Sequence, residues 1–486
     1  MADDLSRRDF AKASAGALLA ATARPVGAAA VLEKPAGKKR YAVVGVGSRA
    51  YLYLDAIQTT HADKAELVGV CDVNAGRLEL ARAHARKAGR PEPRAYPAAA
   101  FDRMIAECRP DAVIVTTVDA THADYICRAM ELGCDVITEK PMTTEAPMCQ
   151  RIVDTRAKTK RHCRVAFNYR YMPARSQLKE LLVGGVIGDV LSVDFHWMLD
   201  THHGADYFRR WHSQKRNSGG LMVHKATHHF DLVNWWLSAI PVSVRASGRR
   251  GFYTPAMAKR FGLAGPHERC HGCPERQKCA FELDLAKDPN LKALYLDQEK
   301  HDGYLRDRCV FRPDIDIEDS MNVVVTYDSD AILCYSVNAF AAWEGYEITF
   351  NGTKGRIEHK VIESVAAPFG SANVPGQAKD YDVSLRVFPL RKPPTTVALR
   401  AGTGGHGGGD AVMLADLFAP APGADPLLRA ADERSGAYAM LVGAAANRCF
   451  ATGEAVRIAD LVHGLAAPNY PRMPSRTAPL PMPAKV

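Results

Sequence analysis

The chain has 486 residues, 24% charged and 47% hydrophobic, with a formal charge of +9 at pH 7. That length accommodates two or three domains and an ample core, and the composition is ordinary for a soluble globular protein. Past the Lys38-Lys39-Arg40 run the basic residues are spread rather than clustered, which argues against nucleic-acid binding; no later apolar stretch reaches the roughly 18 residues of a spanning helix, which argues against stable membrane insertion.

In chain order, residues 1–30 read as a cleavable twin-arginine (Tat) export signal: Ser6-Arg7-Arg8-Asp9-Phe10-Ala11-Lys12, an apolar run from Ala13 to Ala23, then Ala28-Ala29-Ala30. This predicts passage through the Tat translocase and a periplasmic or otherwise exported mature protein. Because that route carries folded chains, a bound cofactor can travel with the protein.

Residues 38–160 alternate strand-like and helical runs: Tyr41 to Val46, Tyr51 to Thr59, Glu66 to Asp72, Ala75 to Ala88, Ala112 to Thr117, Ala123 to Leu132, Asp135 to Thr138. Such alternation predicts an α/β domain with a doubly wound parallel sheet, a Rossmann nucleotide-binding fold. Gly45-x-Gly47-x-x-Ala50 falls between the first strand and the first helix, where glycines permit a tight turn and let a pyrophosphate approach the helix N-terminus. Asp72 ends the next strand, where a carboxylate accepts the ribose hydroxyls of NAD and repels the 2′-phosphate of NADP; Arg49 and Arg77 nearby could tolerate that phosphate. Lys140, in Thr138-Glu139-Lys140-Pro141 at the carboxyl edge of the sheet, can take a substrate hydroxyl proton as hydride leaves carbon, and desolvation would lower its pKa; a salt-bridged surface lysine is the plain alternative.

From 161 to 465 longer strand-like runs at Val190–Met198, Val242–Ser247, Met321–Tyr327, Ala331–Ala341 and Glu347–Asn351 predict an α+β domain with a large, open, mostly antiparallel sheet. His224 and His228 are spaced one helical turn apart, as an acid/base group with its orienting partner, a metal pair or a structural pair. Residues 251–313 look like an insertion. Its Cys270, Cys273, Cys279 and Cys309 have the spacing of a tetrahedral structural zinc site, with two disulfides, an iron–sulfur cluster or free thiols as the competing readings. A Gly- and His-rich turn at 402–410 leads into a helix, another helix runs from Ser435 to Phe450, and 466–486 is a Pro-rich tail, read as a surface strap.

Together the glycine turn, Asp72, Thr117-x-x-x-x-His122, Glu139-Lys140-Pro141, Asn168-Tyr169-Arg170, the Gly219-Gly220 to His228-x-x-Asp231 segment and Gly352-Thr353-x-Gly355 resemble the Gfo/Idh/MocA oxidoreductase family over about residues 38–465. The resemblance implies a cofactor site including Ser48, Arg49, Arg77, Thr117, His122, Glu139, Lys140 and Asn168. It also implies a substrate side drawing on Tyr169, Arg170, Trp211 and His229, and an oligomer formed through the open sheet. The family's catalytic set is this Lys, an Asp, and a His four residues after it. Lys140 and His228 match, but His224 stands where the Asp belongs, and Val118-Asp119 replaces the usual Pro-Asn after Thr117. The turn containing His406 is similar to one in NAD-dependent family members that hydrolyse glycosides, where it borders the sugar; His202, His203 and His212 are further candidates for the pocket wall.

An exported dehydrogenase lacks a soluble nicotinamide pool, so tightly bound, internally recycled NAD is expected. The reading that follows is oxidation of a CH–OH group of a sugar, glycoside or cyclitol, with Lys140, His228 and His224 as acid/base groups. The alternatives are a redox-neutral NAD-dependent glycoside hydrolase or lyase, and a non-catalytic sugar-binding protein with a structural dinucleotide.

Overall fold

The computed structural model describes residues 37–365, 382–402, 405–419, 423–480 and 482–483. The expected export signal and its Arg7-Arg8 pair lie outside the described residues.

The apolar runs of the first half become β1 (Lys39–Val44), β2 (Ala65–Asp72), β3 (Arg94–Pro97), β4 (Ala112–Val115), β5 (Asp135–Thr138) and β6 (Cys163–Val165). They form a six-stranded parallel sheet in the order β3-β2-β1-β4-β5-β6. Every residue of β4 is buried, as expected for a strand covered on both faces by crossover helices. The crossovers include α1 (Ala50–Gln58), α2 (Ala75–Lys87), α3 (Phe101–Cys108), α4 (His122–Glu131) and α5 (Ala146–Thr159). The strand order reverses between β1 and β4, and a crevice opens at their carboxyl ends, the ligand position of such sheets. β6 pairs with β5 beyond residue 160, so the sheet runs slightly past the boundary read from the sequence.

After α6 (Pro173–Val183) comes the second sheet, built from β7 (Val190–Asp200), β8 (Pro241–Arg249), β9 (Ser320–Tyr327), β10 (Ile332–Ala341), β11 (Trp343–Gly352), β12 (Gly355–Val365) and β13 (Asp382–Pro389). Two-residue strands, β14 (Thr395–Thr396) and β15 (Val456–Arg457), close its edges, giving the order β14-β13-β12-β11-β7-β10-β9-β8-β15. Only the β7/β10 pairing is parallel. In β9, Met321, Val323, Val325 and Tyr327 are buried while Asn322, Val324 and Thr326 are exposed, the period-2 pattern of a sheet with one covered face.

Between β7 and β8 lie α7 (Thr201–Arg209), α8 (Gly220–His224) and α9 (Thr227–Leu237). α9 is buried along its whole length and packs against α11 (Glu433–Thr452); α10 (Gly409–Leu417) lies against the 168–171 turn. Arg170 grips α9 through a bidentate pair with Asp231, Nε to Oδ2 at 2.8 Å and Nη2 to Oδ1 at 2.6 Å. The tail runs across the same region, where Pro471 O accepts a 2.7 Å hydrogen bond from Ser238 Oγ.

Candidate active site

A cavity of about 910 Å³ spans the β1/β4 crevice and the space between the two sheets. At its nucleotide end Gly45 adopts φ +84°, and a Cβ there would fall 2.7 Å from Thr117 N, so only glycine permits the close pass of this turn over the end of β4. Asp72 accepts Val46 N–H and Asn74 N–H, each at 2.7 Å, and so ties the glycine turn to the end of β2. Arg77 faces both Asp72 Oδ1, at 3.5 Å, and the carboxylate of Asp302. Asp302 belongs to the insertion, which lies over this end. Ser48 N donates to Tyr295 Oη at 3.2 Å, and Asn74 Nδ2 donates to Gln298 O at 3.0 Å.

At the other end of the crevice, Glu139 accepts from Arg49 Nε at 2.6 Å and from Tyr53 Oη at 2.7 Å. His122 spans Pro141 O and Thr117 O, at 2.8 and 3.1 Å, and fixes the loop after β4. Lys140 follows, half-buried at the junction of groove and inner chamber. Its Nζ donates to His224 O at 2.8 Å and lies 3.4 Å from His224 Nε2. Burial pushes its pKa down to about 8, opposed by Asp119 and Glu139.

His224 Nδ1 lies 2.5 Å from Asp119 Oδ2. Burial raises the Asp119 pKa and lowers that of His224, so both shifts oppose a separated ion pair and favour one proton held between the two groups. The two departures from the pattern that the resemblance implies therefore meet in space, a carboxyl group at 119 beside the imidazole at 224. Sequence reasoning missed Asp119 because its partner is 105 positions away.

His228 also faces the cavity, stacked on Tyr169 at 4.0 Å between ring centroids. His224 and His228 do not share one continuous helix: α8 ends at His224 and α9 begins at Thr227. Lys225, in that break, was not expected in the site and lines the same chamber, as do Trp211, His203, His212, Tyr207 and Arg210. Asn168 Nδ2 donates to Asp410 Oδ1 at 2.7 Å beside the cavity.

Several expectations are corrected. Arg170 is fully buried in its pair with Asp231, away from the cavity. His229 is also fully buried, stacked on Trp197 at 4.0 Å with Nδ1 2.6 Å from Tyr335 Oη, because α9 turns that face onto the sheet. His202 does not line the cavity. The His406 side chain lies outside the described residues. Among the described residues no group of three or more His, Cys, Asp or Glu is arranged to hold a metal, and Cys270, Cys273, Cys279 and Cys309 are free thiols. The insertion is held instead by polar contacts and packing: Arg269 pairs with Glu299 and Asp307, and Phe281 packs edge-on to Phe311.

Residues 39–167 match the model of the GFO_IDH_MocA oxidoreductase family, NAD-binding Rossmann fold, and residues 179–384 match that family's C-terminal alpha/beta domain. The YteT protein of Bacillus subtilis (strain 168) is 37% identical over 442 residues, covering 87% of this chain and 98% of its own length. A glycosyl hydrolase family 109 protein of Akkermansia muciniphila is 29% identical over 196 residues, only 38% of this chain and 40% of its own. Among solved structures, the WlbA dehydrogenase of a Chromobacterium species, in complex with NADH and UDP-GlcNAcA, superimposes with a TM-score of 0.58 at 20% identity, covering 88% of this chain and 98% of that one.

Proposed function

The chain belongs to the Gfo/Idh/MocA oxidoreductase family, and we propose that it oxidises a CH–OH group of a sugar, glycoside or cyclitol, with NAD held in the β1/β4 groove. The observation that carries this reading is Lys140, an ammonium with its pKa lowered to about 8 at the junction of a glycine-turn groove and a chamber lined by aromatic and imidazole groups. The groove suits a dinucleotide: the Cβ-free face of Gly47 meets nothing closer than Tyr295 Oη at 3.8 Å, leaving space for a phosphate at the N-terminus of α1. Gly45, Gly47, Ser48 and Arg49 would hold the pyrophosphate, Asp72 the adenosine ribose, and Thr117, His122, Glu139 and Asn168 would set the walls of the nicotinamide side. When bound, NAD supplies the hydride acceptor.

Neutral Lys140 accepts the hydroxyl proton of the substrate. The His224 carbonyl holds Nζ in place, with His224 Nε2 3.4 Å away. His228 is a second acid/base group on the chamber wall. The Arg7-Arg8 motif supports export of the folded chain with NAD already bound and recycled in place.

The second reading, redox-neutral cleavage of a glycoside, is favoured by Asp410, which the glycine-rich turn brings beside the cavity, and by the Akkermansia relative. The test is a panel of sugars, glycosides and cyclitols added to NAD-loaded protein without another acceptor. Appearance of the reduced nicotinamide absorbance supports oxidation. Glycoside cleavage without net reduction supports the second reading, and silence across the panel in both readouts contradicts both.

A further inference from the structure

Lys225 occupies the break between α8 and α9, 4% exposed and facing the cavity shared by Lys140 and His228. Its contacts are a 3.4 Å hydrogen bond to Tyr169 Oη and the ring faces of Trp197, at 4.9 Å, and Tyr169, at 5.8 Å. Among the described residues it forms no ion pair. Burial opposes its charge, but Tyr169, Tyr207, Glu344 and Glu363 outweigh burial and hold its pKa above the usual lysine value, so it stands in the cavity wall as an ammonium with none of the described carboxylates within ion-pair distance.

The nearby carboxyl groups are otherwise engaged. Glu344 accepts Asp200 N at 2.8 Å through Oε2, while Oε1 lies 2.9 Å from His203 Nδ1; burial pushes its pKa up to about 8, opposed by the charge of Lys225. Glu363 lies 3.7 Å from Arg175. Asp119 is taken by His224. Arg210, the other strong cation on the chamber wall, has its own carboxylate in Asp206 at 3.1 Å. Among the described residues Lys225 thus has no carboxylate within ion-pair distance, and it lines the same cavity as the proposed proton acceptor. His212, buried on the same wall, has Nδ1 without a hydrogen-bond partner among the described residues.

We propose that the substrate is a sugar acid, a uronate or aldonate, whose carboxylate pairs with Lys225 while the hydroxyl to be oxidised meets Lys140. A single ammonium flanked by a phenol and an indole matches a monoanion; phosphate recognition generally draws on several donors, commonly from Arg. Trp211, with one face stacked on His212 at 3.6 Å, offers the ring an apolar surface. This assignment rests on the proposed function only for the Lys140 end.

The test is calorimetry on NADH-loaded protein with glucuronate, galacturonate and gluconate, each against its neutral parent sugar, and with glucose 6-phosphate. One acid is expected to bind about tenfold or more tighter than its parent, the order of discrimination that a buried charge pair supplies. Lys225→Met should bring that ratio close to one, and Lys225→Arg should keep most of it, which separates lost charge from lost folding. Equal or tighter binding of the neutral parents overturns the proposal, as does unaltered preference in Lys225→Met, tighter binding of the sugar phosphate, or no binding by any acid. If the acid binds but NAD-loaded protein never becomes reduced, the oxidoreductase reading fails while the assignment of Lys225 stands.

Discussion

At the scale of single residues, the proposed chemistry centres on an ammonium whose proton is loosely held. Oxidation needs neutral Lys140, so kcat/KM should climb with pH and level off above about 8, where the ammonium has lost its proton. Lys140→Met should lower kcat by about 10³, within the range for loss of a general base, with little change in NAD affinity. Asp119 raises the Lys140 pKa by proximity of charge. Asp119→Asn should therefore move the pH inflection to lower pH, and an inflection that stays in place would show that the carboxyl group does not act on Lys140. Lys140 was legible in the sequence because its tripeptide follows a recognisable strand. Asp119 looked like a loss of the family's pattern, since only the folded chain brings it to His224.

The same limit explains Arg170. A basic side chain in a family motif reads as a substrate contact, but here it is matched by a carboxylate 61 positions later inside the core. Asp231→Ala leaves that guanidinium buried without its partner and should destabilise the protein by about 3–5 kcal/mol, measured by denaturant unfolding. A loss under about 1 kcal/mol would contradict a tight ion pair.

At the scale of elements, strands with period-2 patterning and the glycine turn were readable because their signal is local. The break between α8 and α9 was not: the His224 and His228 spacing suits one continuous helix, and the helical hydrogen bonding is interrupted between them, with Lys225 N and Ala226 N both donating to Leu221 O. The insertion held a second surprise. Its cysteines suggested a self-contained metal knot, whereas its main visible role is to reach the nucleotide groove with Tyr295, Gln298 and Asp302. Asp302 and Asp72 share Arg77, leaving that guanidinium little capacity for a 2′-phosphate. NAD should thus be preferred to NADP, and Asp302→Asn should improve kcat/KM for NADP by about tenfold, the effect of one additional charge-assisted hydrogen bond to the phosphate. An unchanged NAD-to-NADP ratio would contradict this role for the insertion.

At the scale of the molecule, two sheets meet at one cavity, and the outer face of the second sheet exposes Leu191, Val324 and Ile332. Apolar side chains clustered on an open sheet suit pairing with a second copy. Leu191→Lys with Val324→Lys should lower the mass seen by light scattering to that of one chain, and a wild-type protein already monomeric would refute this use of the face.

The central proposal is a folded chain that carries NAD with it through export. Nucleotide released by acid from protein purified out of the periplasm, with none added, measures this directly. About one NAD(H) per chain is predicted, by analogy with other tightly held redox cofactors. Protein that carries no nucleotide, and that gives no heat on titration with NAD or NADP, would contradict it.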